Sequence, residues 1–95
     1  MSLKRYAAKR DKNEREIIDA LMAAGCTVQQ LSLKGVPDLL VGYTDPDTGA
    51  PTNALMEVKA QGGKLTPDER EWLEWWQGQV FVVYSITEAL EAIGR

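Results

Sequence analysis

The stretch Val36-Pro-Asp-Leu-Leu-Val-Gly-Tyr-Thr-Asp-Pro-Asp-Thr-Gly-Ala-Pro-Thr-Asn-Ala-Leu-Met-Glu-Val-Lys-Ala60 holds two apolar runs divided by a turn-rich cluster. Asp38 to Tyr43 reads as a strand, Asp45-Pro-Asp-Thr-Gly49 with Pro51 just beyond as a turn, and Asn53 to Ala60 as the returning strand. The pair is a β-hairpin with a broad loop. Side chains alternate faces along a strand, so Leu55, Glu57 and Lys59 share one face while Met56 and Val58 share the other. A turn centred near Thr48 returns position 38 opposite position 58 to within a residue, which sets Asp38 beside Glu57. If Asp38 is on the face of Glu57 and Lys59, so are Leu40 and Gly42, and Leu39, Val41 and Tyr43 turn the other way. Two carboxylates and an ammonium then converge on one spot.

The plain reading of such a cluster is a solvated sheet face with a weak ion pair, which adds about 0–1 kcal/mol. Two carboxylates in contact repel, however, and one resists ionisation unless a cation lies between them. A hard divalent ion fills that role: Mg²⁺ is held at roughly 2.0–2.1 Å by one or two carboxylates together with waters and substrate phosphate. Mn²⁺ is the natural substitute. Beside such an ion, the ammonium of Lys59 can orient an attacking water and offset charge growing on phosphorus.

Outside the hairpin, Ile17, Ile18, Leu21 and Met22 recur at helical spacing between Asp11 and Ala24, and Gly25 supplies a stop. At 100° per residue Glu14 falls on the side of Ile18 and Leu21, facing the sheet, and Glu16 points nearly opposite. Glu14 is therefore the candidate helix-borne acid, with Glu16 as the fallback; either also suits a solvated first turn, where an acid complements the helix dipole. Cys26 to Leu33 reads as a half-exposed first strand. Thr66-Pro67-Asp68-Glu69 combines an N-cap, a proline in the first turn, acids at the positive end of the dipole and a glutamate three residues after the cap. A second helix then runs from Pro67 to about Gln77, followed by a strand over Val80 to Tyr84 and a short helix over Thr87 to Ile93. The order α-β-β-β-α-β-α implies a small sheet with helices packed on it.

Ninety-five residues with 44% hydrophobic and 26% charged content suit one compact domain, read here as residues 11–95 behind a basic arm, residues 1–10. The longest apolar runs are strand-length, so no membrane span is expected. No apolar segment follows the basic N-terminus, so no secretory leader is expected either. One cysteine and no histidine leave no internal disulfide and argue against zinc, in keeping with a reducing cytosol.

The net charge of −3 is unevenly spread. Lys4, Arg5, Lys9, Arg10, Lys12 and Arg15 against Asp11 and Glu14 leave residues 1–15 at +4, and the other eighty residues carry five bases and twelve acids, or −7. A basic arm on an acidic body suits a partner with phosphates; the same charges also suit a solvated terminus, and composition leaves the two readings level.

Pro37-Asp38 followed by Glu57-Val58-Lys59 resembles the PD-(D/E)XK pattern of the restriction-endonuclease-like superfamily. GVPDLLVG followed by MEVKAQGGKLTPDE looks, more narrowly, like the VRR-NUC (virus-type replication-repair nuclease) family in its small stand-alone phage form. The likeness spans roughly residues 11–86, and EREIIDALMAAG also resembles the first helix of archaeal Holliday junction resolvases. The resemblance implies an α/β restriction-endonuclease-like αβββαβ core. It also implies Asp38, Glu57 and the backbone carbonyl of Val58 as metal ligands, Lys59 as the catalytic lysine, and Glu14 as an acid contributing to the site. The implied activity is Mg²⁺-dependent cleavage of DNA phosphodiesters in branched DNA such as Holliday junctions, by a homodimer. The alternative is a non-catalytic DNA-binding or assembly protein that keeps the nuclease fold.

One departure stands out: where the family often has glutamine after the LTP segment this chain has Glu69, to which the capping pattern gives a mainly structural role. Trp72, Trp75 and Trp76 on the second helix read first as core, then as a dimer interface, then as a base-stacking platform. Lys34, Lys64 and Arg70 are candidate phosphate contacts, and Cys26 is most simply a small buried apolar residue.

Overall fold

A computed structural model describes residues 10–95 of the chain; the basic arm, apart from Arg10, lies outside the described residues. Seven elements follow in the anticipated order: α1 (Glu14–Ala23), β1 (Thr27–Gln30), β2 (Leu39–Thr44), β3 (Pro51–Val58), α2 (Pro67–Trp75), β4 (Val80–Val83) and α3 (Ile86–Ala92). The four strands form one sheet in the order β1-β2-β3-β4, with β1, β2 and β3 antiparallel and β4 parallel to β3. This is a mixed α/β fold of the restriction-endonuclease-like type.

Local chemistry sets the boundaries. Helix α1 ends where the amide of Gly25 donates to Met22 and that of Cys26 donates to Leu21, a closure that needs the left-handed conformation Gly25 adopts at φ 94°. The β2–β3 turn is held by Asp45, whose Oδ1 accepts from the amides of Asp47 (2.8 Å) and Thr48 (3.2 Å). The hairpin register pairs Leu39 with Met56 and Val41 with Ala54, so the half of that face nearest the site is apolar.

That face carries the core. Leu39, Val41, Met56, Val58 and Val83 pack against Ile17, Ile18 and Leu21 of α1, Ala89 of α3 and Ile93 just after it. Each large side chain buried there contributes about 1.5–3 kcal/mol. The start of α1 is tied to the sheet by Asn13, whose Nδ2 donates to the carbonyls of Lys59 (3.0 Å) and Tyr84 (3.1 Å). Helix α2 lies on the opposite face and has no buried residue. The core reading of its tryptophans is therefore corrected: Trp75 is 68% exposed and Trp76 38%, because the core is completed by α1 and α3 without them. No helix among the described residues is long and apolar enough to cross a membrane.

Candidate active site

Continuing the β2–β3 register one step beyond Leu39–Met56 sets Asp38 opposite Glu57, on the face away from the core. The side chain of Asp38 turns back to β3, its Oδ2 accepting from the amide of Val58 at 2.8 Å. Asp38 and Glu57 are therefore cross-strand neighbours on that face. Glu57 is almost wholly buried at 3% exposure, and the Nζ of Lys59 lies 3.4 Å from its Oε2.

The electrostatics follow from this crowding. Burial, then the charge of Asp38, then that of Glu69 push Glu57 up to about 9, so without a cation it keeps its proton through neutral pH. Asp38 is also raised, by burial first and by the charge of Glu14, against the opposing amide of Val58. Burial alone would lower Lys59, but its hydrogen bond to Glu69 and the charges of Glu57 and Glu69 outweigh that, and the ammonium is strengthened.

Backbone geometry adds a further donor. The amides of Leu55 and Lys59 donate toward β4, to Gln79 and Val83, so the alternate residues Met56 and Val58 direct their backbone groups toward β2. Opposite Val58 in the continued register stands Pro37, which has no N–H to offer its carbonyl. The set is two hard carboxylates that repel in the absence of a cation, plus a carbonyl beside them. Its chemistry fits a small divalent ion that keeps several waters. Among the described residues no group of three or more Asp, Glu, Cys or His side chains converges as a metal cluster, so any such ion would rest on this sparse set.

Glu14 is buried at 2% exposure near Asp38, and Glu16 is exposed. The Oε2 of Glu14 accepts from Gln30 Nε2 at 2.7 Å. The guanidinium of Arg10 places Nη1 3.4 Å from Glu14 Oε1 and 3.6 Å from Asp38 Oδ1. Lys34, Lys64 and Arg70 are exposed, and Lys34 lines a surface hollow with Asp68, Glu71, Trp72 and Trp75 that includes neither Asp38 nor Glu57. Cys26 is buried, and burial pushes its thiol up.

Two contacts at the site were not evident in the sequence. Glu69 forms the capping box with Thr66 as its pattern implies, but its Oε1 also accepts from Lys59 Nζ at 2.7 Å, so it belongs to the site as well as to the helix start. Arg10, read only as part of a charge run, stands between two acids. Its four-residue spacing to Glu14 was the available signal.

Neither a family model nor a curated protein sequence matches the chain. A solved structure described as "VRR_NUC domain" does, with a TM-score of 0.64 and 28% sequence identity over 84% of this chain and 88% of that one.

Proposed function

The chain is a VRR-NUC-type domain of the PD-(D/E)XK superfamily, and from that premise we propose that it is a metal-dependent DNA endonuclease acting on branched DNA such as Holliday junctions. The observation that carries this reading is the pairing of half-buried Asp38 with buried Glu57, with Lys59 beside them. Asp38, Glu57 and the Val58 carbonyl would hold Mg²⁺, or Mn²⁺ in its place. Such an ion, when bound, supplies Lewis-acid polarisation of the phosphate and a lowered pKa for water.

The chain's own residues supply the rest. Lys59 stays protonated beside the carboxylates, where it can donate to the attacking water and to a phosphate oxygen as negative charge accumulates. Glu69 fixes the ammonium in place. The core face of β3, through Met56 and Val58, is fully buried and so holds Glu57 and Lys59 in a fixed register.

Cutting both strands of a junction calls for two sites related by a two-fold axis, hence a homodimer. The exposed Trp75, together with Trp76, which lines a hollow with Leu40, supports that assembly. Its neighbours Asp68, Glu71 and Glu74 disfavour phosphates there.

The test is incubation of labelled four-way junction, flap and linear duplex with the protein in Mg²⁺, Mn²⁺ or chelator, alongside Lys59→Ala. Metal-dependent cutting with the junction preferred is expected. No cutting by wild type in either metal, or equal cutting by Lys59→Ala, defeats the proposal.

A further inference from the structure

The charges around Asp38 bear on how many ions the site takes, a question that rests on the metal-site reading above. A second ion in this acidic set would lie between Glu14 and Asp38, whose carboxylates come close enough to share one guanidinium nitrogen. That position already holds a cation. The Nη2 of Arg10 is anchored to β1 and its exit, donating to the Leu31 carbonyl at 2.8 Å and to Ser32 Oγ at 2.9 Å. Its Nη1 is thereby turned toward both acids, 3.4 Å from Glu14 Oε1 and 3.6 Å from Asp38 Oδ1. A guanidinium does not deprotonate in proteins, so this charge is permanent.

The two acid pairs thus differ. Glu14 has each oxygen engaged by a protein donor, Arg10 on one and Gln30 on the other. Asp38 and Glu57 are cross-strand neighbours with no cation shared between them among the described residues. Fully ionised, the four acids Glu14, Asp38, Glu57 and Glu69 face the two bases Arg10 and Lys59, an excess of two negative charges. One divalent ion neutralises that excess, and a second would overshoot it by as much.

We propose that the site takes one divalent cation per chain, and that Arg10 sets that number by standing between Glu14 and Asp38 where a second ion would bind. The experiment is a Mn²⁺ titration of the DNA-free protein, with free Mn²⁺ read by electron paramagnetic resonance, for wild type, Arg10→Met and the double variant Arg10→Met/Glu14→Gln. Wild type should bind one ion, Arg10→Met should gain a second and weaker site, and the double variant should return to one. Two ions on wild type, or no second site in Arg10→Met, overturn the inference. Should Arg10→Met fail to fold, Arg10→Gln, which keeps a donor for Leu31 and Ser32 without the charge, takes its place with the same expected second site. A wild type that takes up no Mn²⁺ defeats the metal-site reading and this inference with it, whereas two ions defeat this inference only.

Discussion

Lys59 on the exit of β3 and Glu69 in the first turn of α2 meet at 2.7 Å, and the same Glu69 Oε1 accepts the amide of Thr66 at 2.8 Å. One oxygen therefore starts a helix and fixes an ammonium. No residue of α2 is buried, and this contact joins the helix to the site face.

Glu69→Ala should lose both functions and Thr66→Ala only the cap. Each should cost about 0.5–2 kcal/mol of stability. At a temperature where both variants are folded, Glu69→Ala should lower the cleavage rate roughly tenfold, about 1.4 kcal/mol in the barrier, while Thr66→Ala stays within about twofold. Glu69→Gln keeps an acceptor for both partners and should retain most of the rate. Equal losses in Glu69→Ala and Thr66→Ala would reduce Glu69 to a cap alone. Single-turnover rates with thermal melts make the comparison.

Glu57 links metal-free stability to pH. Its folded value of about 9 lies above the ordinary 4.5, so the folded protein binds more protons than the unfolded chain between those limits. The stability it contributes is complete below pH 4.5 and is lost as pH rises toward 9. The melting temperature in chelator should fall across that window, with a slope of up to about 1.4 kcal/mol per pH unit for one proton. Glu57→Gln should flatten the profile and melt higher than wild type at pH 8. Saturating Mg²⁺ should flatten it too. A profile in chelator that is flat for wild type contradicts the crowding of Glu57.

Lys59→Ala should reduce cleavage by about 10²–10³, the usual effect of removing a donor aimed at developing negative charge. Uptake of Mn²⁺ should persist, because the lysine is not among its ligands. Loss of both together would mark Lys59 as a structural support for Glu57.

The exposed α2 face predicts a separation of stability from assembly. Trp75→Ser should change the melting temperature little, within about 0.5 kcal/mol, since the ring is 68% exposed. With Trp76→Ser added, sedimentation should shift toward monomer. A double variant as dimeric as wild type places the interface elsewhere.

The fold was readable because its signals are local. Alternation along β2 and β3 separates Leu39, Val41, Met56 and Val58 from Asp38, Leu40, Leu55 and Glu57, and turn chemistry at Asp45–Gly49 sets the register to within a residue. The 3.6-residue period likewise put Glu14 inside and Glu16 outside. The Lys59–Glu69 contact was hidden because it depends on the path of Gln61–Leu65, which no periodicity encodes. Arg10 was hidden for a similar reason: its anchors, Leu31 and Ser32, are more than twenty residues away. The tryptophans misled because an aromatic stripe on a helix normally packs inward, and here α1 and α3 had already covered the core face of the sheet.

The most direct measurement is an anomalous-difference map from a crystal soaked in Mn²⁺. One peak per chain bridging the carboxylates of Asp38 and Glu57, with the Val58 carbonyl alongside, is the predicted result. A peak seated on Glu14 instead, or no peak between Asp38 and Glu57, would contradict it.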